Sequence, residues 1–187
     1  LLAETNGFEL ILEKSDLDGL SDDVIAAASE AAMQKMEKAK SDQEKEKYKN
    51  KYVFTPHRTS MYPFLTQSTR RDLREILYKS YIMRGDNNNE TDNKEVLTNI
   101  AKLRAQKAKL MGYDSHAHFV LEERMLKTPE EVYNLLDQLW KPALNRAKQE
   151  VEDMQAVIDA EGHDFKVAAW DWWQYSEKVR KKKYDLD

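Results

Sequence analysis

Apolar positions along the chain recur mostly at helical spacing, three and four residues apart. Val24, Ile25, Ala28, Ala31, Ala32 and Met36 form one such run. Leu73, Ile76, Leu77 and Tyr81 form a second, which predicts a helix opening at Thr66 or Ser68 and running to about Met83. Val96, Ile100, Leu103, Ala108 and Met111 form a third, which predicts a helix from Asn93 to Met111 with these side chains inward. Polar residues mark the boundaries. Ser21 precedes Asp22 and Asp23, so a hydroxyl can cap a free N–H while two carboxylates face the positive helix end. Thr128-Pro129-Glu130-Glu131 is the strongest start signal, with a capping Thr, Pro at the first position and Glu at the third. The helix behind it is expected to reach Glu161, where Gly162 stops it. Pro142 lies inside; it lacks an N–H and crowds the preceding turn, which predicts a kink near Leu139. Gly112 can end its helix in the left-handed conformation, and Asp114 or Ser115 caps a short helix carrying Phe119, Val120 and Leu121. Asp164 to Ala168 reads as a connector and Trp170 to about Lys183 as a last helix, after which Tyr184 to Asp187 carry no closing signal.

Other segments break the helical pattern. Leu10, Ile11, Leu17 and Leu20 are scattered apolar positions. Glu37 to Lys51 is dense in both charges and reads as a solvated helix end or linker. Lys51 to Thr55 (KYVFT) is aromatic and β-branched, is bounded by Pro56, and predicts a strand that needs a partner in a small hairpin or sheet edge. Tyr62-Pro63-Phe64-Leu65 reads as an apolar loop docked on the core, and Arg84 to Asn89 as a polar loop. No fixed-period repeat is evident. The fold class expected is therefore all-α: a multi-helical array of antiparallel helices with at most a small β-hairpin near 51–56.

Composition narrows the function. The 187 residues suffice for one compact domain or a domain and a half. With 41% hydrophobic and 34% charged residues, and only 5 Gly and 4 Pro, the chain suits helices with solvated outer faces. The net charge of -4 argues against nucleic acid or an anionic membrane as partner. Without cysteine there is no disulfide, thiolate metal site or cysteine nucleophile. No apolar run approaches the ~20 residues of a membrane span. The opening Leu1-Leu2-Ala3-Glu4 lacks Met and a signal-like stretch, which leads us to expect a piece of a longer protein.

Candidate chemistry is sparse. His57, His116, His118 and His163 form no H-E-x-x-H pair, and His116 and His118, two apart, point to different sides of a helix. They are read as ordinary surface histidines rather than zinc ligands. No G-x-S-x-G elbow or phosphate-cradling glycine loop occurs. Glu122-Glu123 and Glu130-Glu131 read as solvated faces and first-turn dipole partners. Arg84-Gly85-Asp86 spells an adhesion tripeptide but closes a helix, and a match of three residues carries little weight. Lys178 to Lys183 (KVRKKK) follows Trp172, Trp173 and Tyr175; cations at a helix C-terminus and core-filling rings explain it better than nucleic-acid binding. Catalytic residues expected here: none; metal ligands: none.

Several stretches together resemble the M3 metallopeptidases, the family of thimet oligopeptidase, oligopeptidase A and the peptidyl-dipeptidases. They are YPFL at 62–65, RRDLREILYKSYIMR at 70–84 with Gly85, LRAQKAKLMG at 103–112 with Tyr113, HAHFVLEERMLKTPEEVY at 116–133, LWKPA at 139–143, and WDWWQYSEKVRKKKYDLD at 170–187. The last is similar to the tryptophan–aspartate segment of the peptidyl-dipeptidase branch, with Gln174 where a Tyr is usual and Ser176 where Ala is frequent. Each motif alone is weak; six in order, from about Leu17 to the last residue, are specific.

The resemblance implies a large, two-lobed, helical zinc peptidase with a deep channel that admits short peptides. It places the zinc-binding H-E-x-x-H segment C-terminal to residue 187. Residues 1–187 are then expected to be a single helical piece of the upper lobe, with 1–50 an N-terminal helical segment and charged linker and 51–187 the start of the conserved region. Zinc is the cofactor expected of the full-length parent, with none bound by this piece. The piece is expected to help form the channel wall and to be inactive alone, with Trp170, Asp171, Tyr175 and Arg180 as its substrate-channel or structural residues. Expected partners are short peptides (for the parent), the missing catalytic lobe and, through bared apolar faces, a second copy of the chain; nucleic acid and membrane are not expected. The expected compartment is cytoplasmic, with the periplasm as alternative. The competing reading is a free-standing helical scaffold or protein-interaction domain.

Overall fold

The computed structural model describes residues 1–184, and Asp185 to Asp187 of the last motif lie outside the described residues. The described part is mainly helical, with one two-stranded antiparallel sheet. In chain order it runs α1 (Leu2–Gly7), β1 (Leu10–Leu12), α2 (Asp22–Lys38), α3 (Asp42–Tyr48), β2 (Tyr52–Phe54), α4 (Arg58–Gln67), α5 (Arg71–Ile82), α6 (Lys94–Leu110), α7 (His116–Leu121), α8 (Pro129–Ala160) and α9 (Trp172–Tyr184). The chain divides into two compact units, one of Leu1–Thr91 with the segment from Glu152 onward, the other Asp92–Val151.

In the first unit the predicted strand is present as β2. Its partner is β1, paired as Leu10 with Phe54, Ile11 with Val53 and Leu12 with Tyr52. The pairing joins segments some 40 residues apart, so it is not the local hairpin expected near 51–56. Two three-residue strands cannot hold themselves together in water. They persist because α2 packs on β2 and the alternate residues Leu10, Leu12 and Phe54 are buried. Phe54 tilts onto Phe64 with ring centroids 4.6 Å apart.

The Tyr62–Leu65 stretch docks on this core as expected, but as helix rather than loop. It forms the middle of α4, with Pro63 inside the helix. The missing N–H costs one backbone bond. Burial of Met61, Phe64 and Leu65 outweighs it. Helix α5 opens at Arg70 rather than at Thr66 or Ser68, and the Ser68 hydroxyl accepts from the Arg70 N–H at 3.3 Å. The charged stretch after α2 is not a loose linker: it contains α3, whose cap Ser41 Oγ accepts from Glu44 N–H at 3.2 Å. The Glu9 carboxylate, ahead of β1, takes Lys35 Nζ at 2.6 Å and the Tyr48 hydroxyl at 2.7 Å, tying α2 and α3 to the sheet. Ser21 occupies the N-cap of α2 as expected, yet its side chain makes no capping bond; its backbone N–H donates to Gln67 Oε1 at 2.8 Å.

The second unit holds α6, α7 and α8 as far as Val151. Gly112 ends α6 with φ +85°, and Ser115 Oγ caps α7 by accepting from His118 N–H at 3.3 Å. The reciprocal cap at the start of α8 is complete: Glu131 N–H donates to Thr128 Oγ1 at 3.3 Å and Thr128 N–H to Glu131 Oε2 at 3.2 Å. Helix α8 continues unbroken through Pro142. The inward face predicted for α6 is contradicted. Only Ala108 is buried, while Val96, Ile100, Leu103 and Met111 are exposed. Helical periodicity identifies an apolar stripe, but the stripe is buried only where another element lies against it.

Candidate functional site

Three of the four singled-out residues, Trp170, Asp171 and Tyr175, lie in one region of the first unit. A short 3-10 turn, Ala169–Asp171, precedes α9, so the last helix starts at Trp172 rather than Trp170. The turn packs against α5, and α9 packs against α4. Asp171 is fully buried. Its carboxylate accepts from Arg71 Nε and from the second Arg71 nitrogen at 3.0–3.1 Å, from an Arg74 terminal nitrogen at 2.9 Å, and from the Ala168 N–H at 3.0 Å. One carboxylate thus faces two guanidinium groups and caps its own turn.

The arginines are held from the other side as well. Arg74 is 1% exposed and donates to the Ser68 carbonyl at 2.7 Å. That carbonyl also accepts from the Gln174 side-chain amide at 2.8 Å. Gln174 is therefore well accommodated where the resembled segment usually shows Tyr: its amide joins α9 to the C-terminal end of α4. Arg71 lies over the Phe165 ring at 4.2 Å and over Trp170 at 5.4 Å. Lys79 covers Trp170 at 5.2 Å, and Tyr78 lies 6.5 Å from it. Trp173 stacks on Tyr62 of α4 at 5.7 Å. Trp170 and Trp173 thus pack against α4 and α5 rather than forming an open stacking platform.

Tyr175 belongs to a second small core with Met154 and Ile158. Its hydroxyl donates to Glu161 Oε2 at 3.4 Å, and Lys178 lies over its ring at 4.6 Å. Burial, then the neighbouring Glu161 carboxylate, push the phenol from 10.0 up to about 12. A raised folded-state value means the folded protein keeps this proton after the unfolded chain has lost it. Stability from this group is complete below pH 10.0 and is lost as pH rises toward about 12. In alkaline unfolding scans, Tyr175→Phe is expected to remove that part of the decline; an unchanged slope between those pH values contradicts it. Arg180 lies apart from this clasp of Asp171 with Arg71 and Arg74. It pairs along its own helix with Glu177 at 2.8 and 2.6 Å and holds that carboxyl below the usual range.

The periodicity of α5 does not reveal Arg71 and Arg74. Ile76, placed on the inward stripe, is 46% exposed, and Arg74 is buried instead. The available signal was Asp171 itself, since a carboxylate among tryptophans needs a cation when buried. The histidines are dispersed. His57 bonds to Thr55 at 3.0 Å and Asn6 at 3.2 Å, His118 to Ser115 at 2.8 Å, and His163 lies 3.8 Å from Glu161. Among the described residues no three His, Asp or Glu side chains gather to hold a metal. These residues do not fit a zinc centre, and no hydrolytic step is assigned to them.

The model of peptidase family M3 covers residues 64–187, and the chain belongs to that family. It is 32% identical over 187 residues to the dipeptidyl carboxypeptidase of Escherichia coli, covering 100% of this chain and 26% of that protein. It is 29% identical over 192 residues to oligopeptidase A of Haemophilus influenzae, again 100% of this chain and 26% of the relative. To the probable cytosolic oligopeptidase A of Arabidopsis thaliana it is 30% identical over 191 residues, with the same coverage of 100% and 26%. The chain spans about a quarter of the length of these relatives.

Proposed function

We propose that this chain is a structural segment of a zinc-dependent oligopeptidase or peptidyl-dipeptidase and helps form the wall of its substrate channel. The observation that carries this is membership in peptidase family M3 across residues 64–187. The parent hydrolyses short peptides. Zinc supplies a polarised water and a Lewis acid there, held by residues outside this chain. Within the segment, Asp171 with Arg71 and Arg74 fixes the angle at which α9 leaves the core, Trp170 and Tyr175 fill the seam, and Arg180 stands on the more open side of α9. Their role is to hold a wall in place and so limit substrate size. The whole of 1–187 serves one lobe, and the parent works in the cytoplasm, as the relative named a probable cytosolic oligopeptidase A suggests. Among the described residues no helix is long and apolar enough to cross a membrane.

The test is hydrolysis by the full-length parent of short quenched peptides and of a folded protein, each after zinc removal and after zinc is restored. Cleavage of the short peptides alone, abolished by chelator and recovered with zinc, is expected. Efficient cleavage of the folded protein overturns the channel reading. Peptide cleavage insensitive to chelator overturns the zinc reading.

A further inference from the structure

The second unit is short of a core. Among its described residues, Asp92–Val151, Ala108 is the one buried hydrophobic. Most of the large exposed apolar side chains of the whole described chain belong to it. On α6, Val96, Ile100 and Leu103 repeat four and three residues apart, which puts them on one face. On α8, Tyr133, Leu136 and Trp140 do the same. Tyr133 is 66% exposed and Trp140 63%. Together with Leu139 and Ala143 they line a shallow apolar groove along the first half of α8. Isolated contiguous apolar surface of this kind marks an interface.

Length and burial say what covers it. Ordering a chain costs conformational entropy for every residue, and burial of apolar surface is what offsets it. A unit with one buried hydrophobic has almost nothing to set against that cost. Helix α6, at 17 residues, is only a little longer than the ~12–15 at which an isolated helix is marginal in water, and α7, at 6, is shorter. The cover must therefore be large and apolar. The M3 relatives carry about three quarters of their length outside the region this chain matches, since the chain spans 26% of them. That remainder is the covering surface closest to hand, because being on the same polypeptide gives it a high effective concentration.

We propose that the apolar faces of α6 and of the first half of α8 are the docking surface for the remainder of the peptidase polypeptide, and that the second unit becomes ordered only against it. The proposal rests on the peptidase reading above. Docking couples the two parts: the segment that begins the family region and the part beyond it fold together, and loosening one loosens the other.

Hydrogen exchange on the full-length parent and on the 187-residue chain tests this without any activity readout. Amides of 94–110 and 129–151 are expected to exchange at least about 100-fold more slowly in the parent, with those of α4 and α5 similar in both. Trp140→Glu in the parent is expected to speed exchange in 129–151 by about 10-fold or more, while Lys148→Glu, at a polar position of the same helix, leaves it unchanged. Equal protection in the parent and in a monomeric isolated chain overturns the proposal, because the unit then needs no cover. Protection in the isolated chain that tracks dimer formation in light scattering overturns it in favour of a second copy. Should Trp140→Glu fail to fold, the wild-type comparison still decides. A parent that docks as described yet shows no zinc-dependent peptidase activity leaves the docking standing and overturns the functional reading alone.

Discussion

Asp171→Ala is expected to lower the stability of the first unit by about 3–5 kcal/mol, the range for breaking a buried ion pair from one side. Asp171 is fully buried, and Arg74 is 1% exposed. Removing the carboxylate leaves the Arg74 guanidinium buried with the Ser68 carbonyl as its remaining polar partner among the described contacts. Its Nε already lacks a hydrogen-bond partner. The same substitution frees the Ala168 N–H that Asp171 caps. Arg71 contributes less, because its side chain is 32% exposed and water can solvate it. Urea unfolding of the chain followed by tryptophan fluorescence reads the loss directly, as Trp170, Trp172 and Trp173 flank the clasp. The diagnostic is the double variant. Arg74→Met alone strands Asp171 with Arg71, but Asp171→Ala with Arg74→Met removes both buried charges. It is expected to be more stable than Asp171→Ala alone. A loss under about 1 kcal/mol for Asp171→Ala contradicts the clasp.

Phe64→Ala is expected to cost a similar amount, about 3–5 kcal/mol, by loss of transfer energy and by the cavity left behind. Phe64 is 0% exposed and contacts Phe54 at a centroid distance of 4.6 Å. It joins α4 to the short sheet, which has little support of its own. Loss of the ring therefore weakens the β1–β2 pairing as well as the helix. Ile76→Ala on α5 is the matched control. Its side chain is 46% exposed, so the expected cost is within about 1 kcal/mol. Chemical denaturation of the two variants side by side measures the contrast. Equal losses mean that the core is not where the structure puts it.

The contrast between those positions shows where sequence reasoning reaches and where it stops. Caps and stops were legible because their physics is local. Thr128 with Glu131, Ser115, Gly112 and Gly162 act within one turn of chain, and each stands where it was expected. The family was legible because six weak motifs in order are jointly specific. Three kinds of feature were not legible. The partner of β2 lies some 40 residues upstream in a three-residue strand, too short to carry a period of two. Pro63 sits inside α4 because Met61, Phe64 and Leu65 bury themselves there, a tertiary effect that overrides local propensity. The burial of Arg74 in place of Ile76 depends on Asp171, ninety-seven residues away. In α6 the periodicity shows an apolar stripe but not its inward face, because it does not say what lies opposite.

The site shows the same division. Trp170, Asp171 and Tyr175 were singled out from one motif, and the structure makes Asp171 the centre of a clasp and Tyr175 part of a small core. Arg71, Ser68 and Gln174 complete the arrangement, and none of them announces itself in the sequence.

The most direct measurement is turnover of one quenched short peptide by three samples: this chain alone, the full-length parent, and the parent stripped of zinc. Cleavage by the zinc-loaded parent only is the expected result. Cleavage by this chain alone, sensitive to chelator, would contradict it and turn attention to His116 and His118 on α7.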